Sequence, residues 1–182
     1  MSVDCEVATL REGSVIKHFV ASAIIFHNEK VLLLEHKKLG TWLGPGGHIE
    51  VNESPDEAVS REIMEETGLK ITIVSNCDVN LGTNEAVVLH NPYAVLCELI
   101  NIPNDLHYHI DFVFICSSNT DQIRHDYREY KNIGWFSKAE IQALNIFPNY
   151  KKLLNKAFNE FVNCSEAVIE KEHCLNGILE TV

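Results

Sequence analysis

At 182 residues the chain is long enough for one well-cored domain with some extra helix, and short for two. Hydrophobic residues make up 46% and charged residues 23%, an ordinary globular balance that argues against disorder. The net charge of -11 repels nucleic-acid backbones and anionic lipid, and it admits a small phosphorylated substrate only with a divalent cation to screen it.

Residues 1–16 form an N-terminal segment of mixed acidic and polar character, with no apolar stretch of signal-peptide length. Lys17 to Phe26 is rich in β-branched and aromatic residues and predicts a strand; a polar turn at Asn28-Glu29 leads into a second, Val31 to Glu35. Thr41 to Gly47 reads TWLGPGG, which forces turns and lets the backbone approach a ligand closely. Ser54 opens a helix as N-cap, with Pro55 at its first position and Glu57 completing a capping box; Gly68 closes it. Three further strands are expected over Lys70 to Val74, Tyr93 to Asn101 and Tyr108 to Cys116. Ser75 to Pro92 is ambiguous between strand and loop, and Asn119 to Asn132 reads as loop.

A short helix is expected from Ser137 to about Leu144, and Pro148 then breaks the chain. From Asn149 a longer helix sets Leu153, Leu154, Ala157, Phe158, Phe161 and Val162 on one stripe, for a core or a homodimer contact. Residues 163–182 read as a helical tail. The apolar runs are strand-sized and far below a membrane span. Cys5, Cys77, Cys97, Cys116, Cys164 and Cys174 stand singly, which predicts reduced, mostly buried thiols in a cytoplasmic protein.

The chemistry concentrates on the Ser54 helix. Glu62, Glu65 and Glu66 lie at i, i+3 and i+4, within roughly 100° of one helical face, while Val59 and Ile63 face a core. Crowded carboxylates repel each other by a few tenths of a kcal/mol per exposed pair. A hard cation such as Mg²⁺ removes that penalty, although a solvated acidic face has the same pattern.

The surrounding residues extend the pattern. GHIEVNESPDEAVSREIMEETGL, residues 47 to 69, resembles the Nudix box G-x5-E-x7-R-E-U-x-E-E-x-G-U (U aliphatic) and matches every defined position. A chance match is on the order of 10⁻⁹ per starting position. Weaker resemblance runs from about Lys17 through Leu144, taking in WLGPGG before the box and IGWFSKAEI after it.

The resemblance implies an α/β (α+β) fold, a Nudix-type α/β/α sandwich around a mixed β-sheet, spanning residues 17–162. It implies a pyrophosphohydrolase dependent on Mg²⁺, with Mn²⁺ as a substitute, cutting the phosphoanhydride of a nucleoside diphosphate-linked small molecule. Glu62 and Glu66 would be the main metal ligands, joined by Glu65 and the Gly47 carbonyl. Arg61 would pair with Glu53 to hold the loop on the helix. The general base is not fixed by the family; Glu65, Glu98 and Asp111 are candidates.

Other residues have open roles. In HYHIDF, alternation puts His107, His109 and Asp111 on one strand face, toward phosphate or toward solvent. Trp42 could stack a base or pack. His36, Lys37 and Lys38 form a small basic patch, and His48 borders the expected metal loop.

A non-catalytic Nudix-like nucleotide-binding regulator and an isopentenyl diphosphate isomerase-like enzyme share the fold, and the complete box favours hydrolysis over both. ADP-ribose cleavers of the family carry a proline about 16 residues past the box, where this chain has Glu85. Dinucleoside-polyphosphate cleavers carry a tyrosine near there, and the nearest here is Tyr93. Nucleoside triphosphates, oxidised ones included, remain as the default substrate.

Overall fold

The computed structural model describes residues 16–102, 105–124 and 130–161. The N-terminal segment up to residue 15, the 163–182 tail, Val162, Cys5, Cys164 and Cys174 lie outside them. Among the described residues eight strands, β1 (Lys17–His27), β2 (Lys30–His36), β3 (Trp42–Leu43), β4 (Gly46–His48), β5 (Thr72–Ile73), β6 (Ala94–Ile102), β7 (Asp105–Ser117) and β8 (Tyr130–Ser137), make one sheet. Its path runs β3-β2-β1-β7-β5, with β4 on β1, β6 on β7 and β8 on β2. The β1–β7 pair is parallel and the other pairs are antiparallel, so the sheet is mixed, as expected.

The β1–β2 hairpin turns on Asn28 and Glu29, at φ 46° and 60°. Positive φ at both central residues is the turn geometry that matches the natural twist of paired strands.

Helix α1 (Pro55–Thr67) has the ends its sequence encodes. Ser54 and Glu57 exchange both bonds of the capping box, Pro55 opens the first turn, and Gly68 closes the last in a left-handed conformation. Its apolar side, Ala58, Val59 and Ile63, packs with Ala21, Ala23, Ile25, Leu32, Phe114 and Cys116 on one sheet face. Fully burying a side chain such as Val59 or Ile63 contributes roughly 1.5–3 kcal/mol, which seats the helix firmly. Helix α2 (148–161) covers the opposite face, where Leu154, Ala157 and Phe158 meet Ile24, Phe26, Val31, Leu33, Val113 and Ile115. Two helices sandwich the sheet, the expected three-layer arrangement.

Several elements differ from expectation. Pro148 starts α2 rather than breaking the chain before it, because proline's missing N–H is harmless in a first turn. Ser137 to Leu144 holds a short 3₁₀ turn, Glu140–Gln142, in place of a helix. Residues 130–132, read as loop, begin β8; Lys131 and Asn132 are exposed beside β2, while Tyr130 is buried. The strand at Lys70 to Val74 shrinks to Thr72–Ile73, and Ser75 to Pro92 is irregular apart from one 3₁₀ turn. Of the α2 stripe, Leu154, Ala157 and Phe158 are in the core, and Leu153 and Phe161 pack against it partly buried. Of the described cysteines only Cys116 is buried, its thiol pushed up to about 12 by burial; Cys97 is exposed and Cys77 intermediate. Among the described residues no helix is long and apolar enough to cross a membrane.

Candidate active site

The glycine-rich turn after β3 lies against the acidic face of α1. β4 pairs with β1 so closely that a Cβ at Gly46 (φ 154°) would stand 2.6 Å from the Ser22 Cα. A Cβ at Gly47 would collide with the carboxylate of Glu62. Only glycines let this backbone lie on the carboxylates.

Glu66 is held from two sides. The Gly46 N–H donates to its Oε2 at 3.1 Å, and the Tyr130 hydroxyl donates to its Oε1. Glu62 is held by Arg61, whose Nη1 donates to its Oε1 at 2.8 Å. The same guanidinium grips Glu53 with Nε and Nη2, at 2.8 and 2.9 Å, and donates to the His48 carbonyl at 3.0 Å. One planar fork therefore ties the loop before the helix, the turn at β4 and a box carboxylate together. Its bond to Glu53 holds that carboxyl below the usual range, and Glu53 in turn raises the guanidinium pKa. The expected Arg61–Glu53 pair is present.

Glu65 is different. Its side chain is 58% exposed and lies 3.8 Å from Arg61, on the solvent side of the other two. The i and i+4 carboxylates meet the glycine turn, and the i+3 carboxylate does not reach it.

A second polar group occupies the α2 side of the sheet. The Ser22 hydroxyl donates to Asp111 Oδ2 at 2.8 Å, and Asn149, at the start of α2, donates to Glu98 Oε1 at 2.8 Å. The Tyr150 hydroxyl reaches Gly44, and burial, with Asp111 and Glu98 nearby, raises its pKa. Asp111 Oδ1 is buried without a hydrogen-bond partner among the described residues. Burial pushes the Asp111 carboxyl up to about 7, against the bond from Ser22, and raises Glu98 as well. Ser22 links the two sites, since it pairs with Gly46, whose amide holds Glu66.

The raised Asp111 carboxyl has a consequence for stability. With the folded value above the unfolded 3.8, the native state keeps the proton longer. That contribution is complete below the unfolded value and is lost as pH rises through about 7. Asp111→Asn is expected to flatten this slope and to melt several degrees above the native chain at mildly alkaline pH. Thermal melts across the range check this; parallel curves for the two proteins would contradict it.

Trp42 packs edge-on against Phe136, with ring centroids 4.8 Å apart, so its contacts are those of a packing residue. His107 and His109 meet each other and His18. Lys37 and Lys38 are exposed, and His36 Nδ1 accepts from the Leu39 amide in the turn. Sequence reasoning missed Ser22, Tyr130, Asn149 and Tyr150. The alternation that singled out Asp111 could have pointed to Ser22 on the neighbouring strand; Tyr130 carried no local signal. Separately, a cavity of about 580 Å³ between Val74, Tyr93, Ile115 and Phe161 shares no residue with the box.

The family model of the NUDIX domain matches residues 17–157. The chain belongs to the Nudix hydrolase family. A crystal structure of a NUDIX-family hydrolase from Clostridium perfringens is 37% identical, with a TM-score of 0.68 over 78% of this chain and 96% of that one. A Lactococcus lactis protein named as a probable DHNTP pyrophosphohydrolase is 32% identical over 62% of this chain and 72% of its own length. A MutT-like protein of Streptomyces ambofaciens is 32% identical over 38% of this chain, and the match spans only 45% of that protein.

Proposed function

We propose that this Nudix chain is a Mg²⁺-dependent pyrophosphohydrolase, with Mn²⁺ as a substitute, acting on a nucleoside diphosphate-linked small molecule. The default substrate is a nucleoside triphosphate, oxidised forms included, cut to the monophosphate and pyrophosphate. The observation that carries this is the seating of Glu62 and Glu66 against a glycine turn with no room for a Cβ at Gly47.

The residues fit a hard cation. Glu62, Glu66 and the Gly47 carbonyl offer oxygen donors only. Mg²⁺ held there would neutralise the diphosphate and lower the pKa of an attacking water.

The chain's own groups supply the rest. Arg61 and Glu53 fix the turn and aim Glu62. Glu65, the solvent-side box carboxylate, has access to a water and can take its proton. Asp111 and Glu98, on the α2 side of the sheet, would supply hydrogen-bonding groups for the part of the substrate that is not phosphate. The protonated Asp111 acid can donate there, and Glu98, Ser22, Asn149 and Tyr150 complete the set. The described thiols, which form no disulfide, support a reducing, cytoplasmic setting.

A panel of nucleoside triphosphates and diphosphate derivatives incubated with Mg²⁺ tests the proposal. Monophosphate products that vanish with EDTA and return with Mg²⁺ or Mn²⁺ are expected. Tight binding without turnover would point to a regulator, and rearrangement without phosphate release to an isomerase.

A further inference from the structure

Four histidines gather on the sheet, three of them outside the box and His48 at its second residue. His107 and His109 stand at i and i+2 of β7 and share a face. Strand β1 runs parallel alongside, with His18 in register with His109, and β4 brings His48 next to β1 opposite Val20. One ring nitrogen from each of His18, His107 and His109 lies within 4.8 Å of the others. His107 Nε2 and His109 Nε2 are 3.0 Å apart, and His48 Nε2 is 3.2 Å from His18 Nδ1. The rings of His48 and His109 are 5.2 Å apart at their centroids, so all four form one group.

We infer that His18, His107 and His109, with His48 on the open side, form a binding site for a divalent transition-metal cation of the zinc class, separate from the carboxylate site of the box.

Geometry and donor chemistry both support this. Tetrahedral Zn–N bonds of ~2.0–2.1 Å place ligand nitrogens about 3.3 Å from one another. The closest pairs are already at that separation, and modest side-chain rotation brings in the third. Two nitrogens facing each other at 3.0 Å cannot both carry protons, so at least one of the pair presents a lone pair to the other. That disfavours an anion such as phosphate as the occupant, because imidazolium donors would have to converge.

Imidazole suits zinc, copper, nickel and iron, whereas Mg²⁺ prefers the oxygens of Glu62 and Glu66. The two sites therefore need not compete for one metal. Three imidazoles with a further position open to water or a fourth ligand is also a donor set of known zinc centres. His107 is buried, His18 half-buried and His48 exposed, so a cation can enter from the solvent side.

The test uses the full chain, stripped with chelator and titrated with Zn²⁺ alone. One equivalent of zinc is expected to survive gel filtration and to raise the melting temperature. Co²⁺ in its place should give a tetrahedral visible spectrum without a thiolate charge-transfer band. A His18→Ala/His109→Ala double variant, checked for folding by circular dichroism, should lose all three signals. His109→Asn is the conservative substitute should the double variant not fold. It should weaken zinc binding by more than the ~10–100-fold cost of losing an outer-shell partner. Glu66→Gln should retain the zinc equivalent, which separates this site from the hydrolytic one. No zinc equivalent in the native chain, undiminished binding in either histidine variant, or a cobalt–thiolate band would each overturn the inference.

Discussion

Glu66→Gln is expected to lower turnover by about two decades or more while the fold stays intact. The substitution keeps the shape of the side chain, and an amide oxygen can still accept from either the Gly46 amide or the Tyr130 hydroxyl. What disappears is negative charge where a cation must be held against a diphosphate. A hard divalent ion loses much more from a neutral amide than a hydrogen-bond donor does. Steady-state kinetics with saturating Mg²⁺, read beside thermal melts, separate the two effects. The melting temperature should move by only a few degrees. Turnover close to that of the native chain would remove Glu66 from the site, and a collapse of folding would show its role to be structural.

Arg61→Lys should be the next most damaging change, although charge is conserved. The guanidinium serves Glu53, Glu62 and the His48 carbonyl at once from a planar fork. A lysine ammonium cannot reproduce that geometry. The Arg61 side chain is 25% exposed, so water partly screens these bonds, and losing them should cost about 1–3 kcal/mol. For a domain of this size that is a fall of roughly 2–12 °C in melting temperature. Catalysis should suffer more than stability, because Glu62 and the β4 turn lose their common anchor. A fall in kcat of about one to two decades with a small change in KM is expected. Kinetics that match the native chain would mean that the fork is dispensable for aiming Glu62.

The helix that carries these residues was legible from sequence because every signal for it is local. The Ser54 cap, Pro55, the Glu57 box partner and Gly68 lie within one segment and agree with its apolar spacing. The spacing of Glu62 and Glu66 likewise put both on the face that meets the turn, while the exposure of Glu65 depends on what packs beside it. Strand β1 and the β1–β2 turn were legible for the same local reason.

Elements defined by partners were not. β3 and β4 span two and three residues and exist because β2 and β1 offer them backbone partners. The start of β8 is polar, as an outer strand with a solvated face can be, so its first residues read as loop. Tyr130 reaches Glu66 across 64 positions of sequence, and Ser22 reaches Asp111 across 89. No window along the chain holds such pairs. Alternation in HYHIDF put His107, His109 and Asp111 on one face of β7, but only the neighbouring strand showed that His107 and His109 have His18 for company.

Hydrolysis by this chain requires that the paired glutamates at the glycine turn hold a cation. Crystals grown with Mn²⁺ and a non-hydrolysable nucleoside triphosphate analogue, examined at the manganese absorption edge, locate the metal directly. An anomalous peak in contact with the Glu62 and Glu66 carboxylates and the Gly47 carbonyl, bridging to phosphate oxygens, is the predicted result. Manganese bound to the nucleotide with neither glutamate among its ligands would contradict it.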